Sequence, residues 1–255
     1  YVDFGSLDVL AGVLRHPFHH AGTWSTFRGR THGRPVDVLT TPGHRFLAYL
    51  QDHDQVGNRA AGDRLSATLS PGLLACGAAL VLCSPYTPMV FMGEEWGART
   101  PWAFFVGFDD PELAEAVRTG RREEFAEHGW GEGSTSAEVP DPTADATFEA
   151  SRLDWNEPTR EPHAWLLGVY RELIALRRAH PELTDPHLDR VVVQHDPDAR
   201  TLVVHRGTLR LAVNLGSAPA PLPLAVTEVL SAPAGADTDS GRLVLPPEAF
   251  ALTRL

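Results

Sequence analysis

Apolar residues recur at helical spacing from Ser6 to Leu14, through Leu7, Val9, Leu10, Val13 and Leu14, and predict an amphipathic helix. A polar, glycine-rich stretch follows from His16 to Pro42, with His16, His19, His20, Arg28, Arg30 and Arg34 in it. Connections this long inside a compact domain usually line a site. Phe46 to Leu50 is a short apolar run entering Gln51-Asp52-His53-Asp54, which reads as a buried strand ending in a polar loop. Asp63 is placed to cap a following helix, and Ser70-Pro71 carries the start signature of another, running to about Leu82. Pro88 to Met92 predicts a second buried strand, ending at Gly93-Glu94-Glu95-Trp96. Strand, polar loop, helix, strand, polar loop is an α/β pattern, whose parallel strands end on one edge of the sheet. That edge is where such folds place their sites.

Farther on, Pro111 to Ala126 predicts a charge-rich amphipathic helix, in which Arg121, Arg122, Glu123 and Glu124 read as a solvated face. Gly129 to Ala146 is rich in Gly, Ser, Pro and Asp and reads as a surface excursion. Glu161 to His180 is the strongest helix, with Trp165, Leu166, Val169, Tyr170, Leu173, Ile174 and Leu176 on its apolar stripe. After Pro186 the texture changes. Val191–Val193, Thr201–His205, Leu209–Leu215, Val226–Leu230 and Leu243–Leu245 are short apolar runs separated by turn residues. They predict a small antiparallel β-sandwich over 186–255, with a domain boundary near residue 185.

Composition narrows the function classes. The 255 residues hold 33 acidic against 22 basic side chains, a formal charge of −11, which argues against nucleic acid or an anionic membrane as partner. The longest apolar run, Leu73–Leu82, is far short of the roughly 18–20 residues a membrane-spanning helix needs. Every basic residue is Arg, so Schiff-base and catalytic-lysine chemistry are excluded. Cys76 and Cys83 lie in or beside one apolar helical segment and read as buried thiols, which suits a reducing cytoplasm. The chain opens at Tyr1 with no signal-like apolar segment behind it, as a piece of a longer protein would.

Candidate chemistry concentrates at the two strand ends. Gln51, Asp52, His53, Asp54 and Gln55 are consecutive polar residues where the α/β pattern places a site, with Arg59 four positions on. Glu94, Glu95 and Trp96 stand at the second strand end. Acid and histidine beside acid and aromatic suit a carbohydrate: carboxylates bond hydroxyls and stabilise a cationic transition state, and aromatic faces stack on the ring. A local reading pairs Asp54 with Glu94 or Glu95 as nucleophile and acid, a pairing that depends on a separation of about 5–5.5 Å. The His16, His19, His20 spacing matches no metal-ligand pattern and reads as polar lining, so no metal is expected. The basic run Phe27-Arg28-Gly29-Arg30, with His32-Gly33-Arg34, reads as arginines ordering a loop near an acidic cleft.

Four segments resemble the α-amylase superfamily of glycoside hydrolases, and within it the maltooligosyltrehalose trehalohydrolase group. They are Trp24–Arg34, Gln51–Ala60, Ser84–Trp96 and Thr147–Trp155. The resemblance runs along nearly the whole chain and weakens after residue 186. It implies the C-terminal part of a (β/α)8 TIM barrel, about strands seven and eight with their helices, over 1–185, followed by the β-sandwich domain. It implies hydrolysis, with retention and without a cofactor, of the α-1,4 bond next to the terminal trehalose unit of maltooligosyl trehalose or a related α-glucan oligosaccharide. A maltooligosyltrehalose synthase is the implied pathway partner. Asp54 becomes the transition-state-stabilising carboxylate, with His53, Gln55, Arg59, Phe27, Arg28, Glu94 and Trp96 as substrate-binding residues. Glu94 and Glu95 are then binding or structural residues, and the local nucleophile–acid pairing falls away. The nucleophilic Asp and acid/base Glu lie upstream of this chain, so the piece alone is expected to be inactive. A non-catalytic glycan-binding remnant is the alternative. Two positions depart from the family pattern: Asp52 stands where Asn is usual, and Val106-Gly107-Phe108 replaces a more polar stretch.

Overall fold

The computed structural model describes residues 2–127, 139–239 and 242–255. They form two compact units, interleaved along the chain: Tyr1–Leu50, Gly72–Met89 and Gly168–Leu255 make the first, Gln51–Pro71 and Val90–Leu167 the second. In chain order the elements begin α1 (Leu7–Val13), β1 (Thr23–Ser25), β2 (Arg30–His32), β3 (Leu47–Ala48), α2 (His53–Gly57), α3 (Pro71–Leu82) and β4 (Thr87–Pro88). Helices α4 (Pro111–Glu127), α5 (Asp145–Ala150), α6 (His163–Ala179) and α7 (Pro181–Thr184) follow. Eight strands complete the chain: β5 (Val192–Asp196), β6 (Thr201–Arg206), β7 (Leu209–Asn214), β8 (Ala220–Leu222), β9 (Glu228–Ser231), β10 (Asp237–Asp239), β11 (Arg242–Leu245) and β12 (Ala249–Arg254).

In the first unit, Ser6 starts α1 by accepting the Val9 amide on its hydroxyl at 3.2 Å. The stretch expected as an open connection, His16 to Pro42, contains a hairpin instead: β1 and β2 pair antiparallel with Thr23 opposite His32. Gly33 makes the turn out of β2 possible. Its φ is +77°, and a Cβ there would lie 1.6 Å from the His20 carbonyl oxygen. Of the histidines before the hairpin His16 is exposed, while His19 and His20 are packed, with Phe4 edge-on to both at 5.4 Å and His20 Nε2 3.5 Å from Asp3 Oδ2. Among the described residues, no group of His, Cys, Asp and Glu assembles to hold a metal.

Where two buried strands were expected there is a parallel pair of two residues each, Leu47 opposite Thr87 and Ala48 opposite Pro88. The second overlaps its expected span at Pro88 alone, and neither strand is buried, with Leu47 and Thr87 exposed and Ala48 and Pro88 half-buried. The ladder rests on Thr87 N donating to Phe46 O and Met89 N to Ala48 O, both at 2.9 Å; Pro88 between them has no N–H to donate. The apolar helix α3 follows its predicted bounds. Cys76 and Cys83, on and just past it, are free and buried. Among the described residues no helix is long and apolar enough to cross a membrane.

The last eight strands form two antiparallel sheets, ordered β5-β6-β7-β12-β9 and β10-β11-β8. Val203, Ala212 and Ala251 of the larger sheet share one apolar cluster with Leu222, Leu243 and Leu245 of the smaller. That interdigitation gives this part of the first unit a core of its own.

In the second unit Asp63 does not cap a helix. It pairs with Arg59 Nη2 at 2.6 Å, and a single 3-10 turn, Leu65–Ala67, follows behind Arg64. The surface excursion expected over 129–146 lies partly outside the described residues. Its described end is tied down, because Arg118 of α4 donates to Asp141 Oδ2 at 2.6 Å and Thr143 Oγ1 at 2.7 Å.

Candidate functional site

The polar run expected as a loop is a helix. Asp52 is extended, and its Oδ1 accepts the Gln55 amide at 2.8 Å, which starts α2 one residue before the pair His53 and Asp54. Within the helix Val56 and Gly57 turn inward while His53, Asp54 and Gln55 stay exposed, so it divides into a buried face and a polar outer face; Arg59, past the C-cap Asn58, is exposed as well. His53 Nε2 lies 3.5 Å from Asp54 Oδ1, with the two side chains 61% and 69% exposed. That exposure leaves the carboxylate oxygens open to accept hydroxyl hydrogen bonds.

An aromatic floor carries this helix. Trp102 lies edge-on to His53 with ring centres 6.2 Å apart, and packs against Phe91 at 5.7 Å and Phe104 at 5.1 Å. Gly57 sits so close that an added Cβ would be 2.6 Å from Trp102 Cζ3 and 2.9 Å from Phe104 Cε2.

Arg64 joins the segment carrying α2 to the turn at residues 93–97. Its buried guanidinium donates from Nε to Thr100 O at 2.6 Å and from Nη1 to Met92 O at 2.7 Å, over the Phe91 ring. Burial lowers its pKa, and the charges of Glu157, Glu94 and Glu95 oppose that shift. Ser66 Oγ donates to Ala98 O at 2.6 Å, and Leu65 N to the buried Gln51 Oε1 at 3.1 Å.

Glu94 and Trp96, expected to meet substrate, are turned into the unit instead, at 4% and 3% exposure. Gly93 and Gly97 bracket them in left-handed conformation and close the turn inward. Trp96 Nε1 donates to Glu157 Oε2 at 3.1 Å, and its carbonyl meets His163 Nδ1 at 2.8 Å. Trp96 thus holds the frame, and the exposed ring next to it is Trp155, tilted at 5.2 Å.

Phe27 and Arg28 belong to the first unit, on the β1–β2 turn, where Phe27 is 89% exposed. Asp3 holds that turn by accepting Thr26 N at 2.9 Å and Thr26 Oγ1 at 2.8 Å, which keeps its own carboxyl below the usual range. The structure thus gathers His53, Asp54 and Gln55 on the exposed face of α2, with Arg59 exposed just past its C-cap, and buries Glu94 and Trp96 in the same unit.

Two residues escaped the sequence reading. Trp102 was signalled by the aromatic run Pro101-Trp102-Ala103-Phe104-Phe105. Arg121 reads with Arg122, Glu123 and Glu124 as a solvated face, since two basic residues beside two acidic ones look solvated. It is not: its side chain is 14% exposed and reaches the end of α2.

The chain is similar to several known proteins. Residues 186–252 match a family model described as a domain of unknown function (DUF3459). The malto-oligosyltrehalose trehalohydrolase of Arthrobacter ramosus is 51% identical over 247 residues, which are 94% of this chain and 41% of that protein. That of Mycobacterium tuberculosis (strain CDC 1551 / Oshkosh) is 50% identical over 231 residues, 91% of this chain and 39% of that protein. The chain therefore spans about two fifths of the length of the curated relatives it matches. Among solved structures, a putative alpha amylase from Salmonella typhimurium superposes with a TM-score of 0.82 at 34% identity, over 99% of this chain and 42% of that one.

Proposed function

Because the chain belongs with the malto-oligosyltrehalose trehalohydrolases, glycoside hydrolases of the α-amylase family, we propose that it carries the transition-state-stabilising part of such an enzyme's active site. The whole protein hydrolyses the α-1,4 bond next to the terminal trehalose unit of maltooligosyl trehalose, with retention and without a cofactor. The single observation that carries this reading is the open carboxylate of Asp54 beside His53 on a capped helix, within a sequence half identical to those relatives.

In this reading Asp54 accepts hydrogen bonds from hydroxyls of the sugar at the cleavage point. Those bonds strengthen as the ring flattens and gains oxocarbenium charge. His53 bonds the same sugar, and Gln55 and Arg59 extend the polar surface along it. Glu94 and Trp96 act from below, by fixing the turn to which Arg64 ties the Asp54 segment. The nucleophile and the acid/base come from parts of the whole protein outside this chain. One carboxylate cannot both attack the anomeric carbon and protonate the leaving oxygen.

We further propose that β3 and β4 are the seventh and eighth strands of a (β/α)8 barrel, with a β-sandwich domain over 186–255. The parallel register of the first pair and the match beginning at residue 186 support this division.

The test uses the full-length protein and this chain side by side. Asp54→Asn in the full-length enzyme is expected to lower kcat by about 10²–10³-fold, as removing one transition-state-stabilising group does. This chain alone is expected to release no trehalose from maltooligosyl trehalose. Release above background would mean that the nucleophile and acid lie within these 255 residues. Maltooligosaccharide binding by the isolated chain, with Asp54→Asn leaving the full-length enzyme fully active, would favour the glycan-binding remnant instead.

A further inference from the structure

We infer that Arg121 of α4 is a positioning residue for Asp54, acting through the C-terminal end of α2; this rests on the reading of Asp54 given above. Helix α2 has five residues, far below the length at which a helix persists by itself. Its geometry must be imposed from outside. Asp52 fixes the first turn. The last turn leaves carbonyls without intrahelical partners, and a cation there is favourable both as donor and as charge.

Arg121 is that cation. Its Nη2 donates to the Gly57 carbonyl and its Nη1 to Asn58 Oδ1 at 3.1 Å. Glu124, one turn along α4, takes Nη1 at 2.9 Å and holds the guanidinium from its own helix. The Phe104 ring lies 5.1 Å beneath it. The group is thus held by two bonds to the end of α2, by an acid of its own helix, and by an aromatic face from a third segment. Only a planar, forked cation fits all of these together.

The link to Asp54 is one bond long. Asn58 N donates to the Asp54 carbonyl at 3.0 Å, so the residue that Arg121 grips is bonded to the backbone of Asp54 itself. Among the described residues, the Asp54 carboxylate has His53 as its only ion-pair partner. Its position therefore comes from the backbone of α2, and Arg121 sets where that backbone ends.

The experiment is a double-mutant cycle in the full-length enzyme, with Arg121→Met, Arg121→Lys, Asp54→Asn and the Arg121→Met/Asp54→Asn pair. Arg122→Ala, at an exposed position of the same helix, is the control. Arg121→Met is expected to lower kcat roughly 10–100-fold, the effect of a small misplacement of a reacting group, with KM little changed. Arg121→Lys, which keeps one donor and the charge, is expected to recover part of the loss. In the Asp54→Asn background Arg121→Met is expected to add nothing, because both changes remove one effect. If Arg121→Met does not fold, Arg121→Lys carries the same comparison. Unchanged kcat in a folded Arg121 variant, or losses that multiply with those of Asp54→Asn, overturns the inference. If Asp54→Asn itself leaves kcat unchanged, the reading of Asp54 fails and takes the inference with it; the inference alone fails when only the Arg121 variants are silent.

Discussion

Asp52 uses its carboxylate on the backbone. It stands where the family pattern has Asn, and beside His53 and Asp54 it looks like an added charge at the site. In the structure it caps α2, a task that Asn and Asp perform equally well. Asp52→Asn is accordingly expected to leave α2 intact, while Asp52→Ala costs about 1 kcal/mol, read as faster amide exchange at Gln55 and Val56. The motif was legible in the sequence, but its conformation was not. Five helical residues are too few to show a periodicity, so a polar run after an apolar one reads as a loop. A second residue-scale expectation concerns Asp3. The amide and hydroxyl of Thr26 hold its carboxyl below the ordinary 3.8, so the contact is intact above that value and is lost as pH falls through the depressed one. The Thr26 amide resonance should titrate with a midpoint below 3.8; a midpoint at 3.8 would show that the bond is not made in solution.

At the scale of elements, the long patterns were legible and the contacts between elements were not. Helices α3, α4 and α6 follow their predicted spans closely, because each presents several turns of consistent pattern. The interior strand β12 was not among the runs read as strands, because of its six residues only Phe250 and Thr253 are strong strand formers. Local pattern also says nothing of Arg121, whose role depends on a partner sixty-odd residues away in sequence. Close packing of α2 on its aromatic floor is likewise tertiary. Gly57→Ala is expected to push a methyl group into Trp102 and Phe104 and to destabilise the second unit by about 1–3 kcal/mol, checked by thermal unfolding. An unchanged Tm would mean that the helix and the ring plane do not meet as closely as described.

For the whole molecule, the proposed function gives the chain one carboxylate of a catalytic set, Asp54, with the segments of the second unit that hold it. The sequence reading cuts the chain once, near residue 185, whereas the contacts divide it into interleaved units. No local signal announces interleaving, because it arises from which distant segments meet. A practical consequence follows from α3. The thiols of Cys76 and Cys83 are buried, and burial pushes both pKa values up to about 12, so almost no thiolate exists at neutral pH. The folded chain should be silent to thiol-labelling reagents, and any labelling should proceed at the rate at which the first unit opens. Two native cysteines thereby serve as a built-in clock for local unfolding, readable by mass at each label added, with no engineered probe; prompt labelling of the native protein would show that α3 is not closed over.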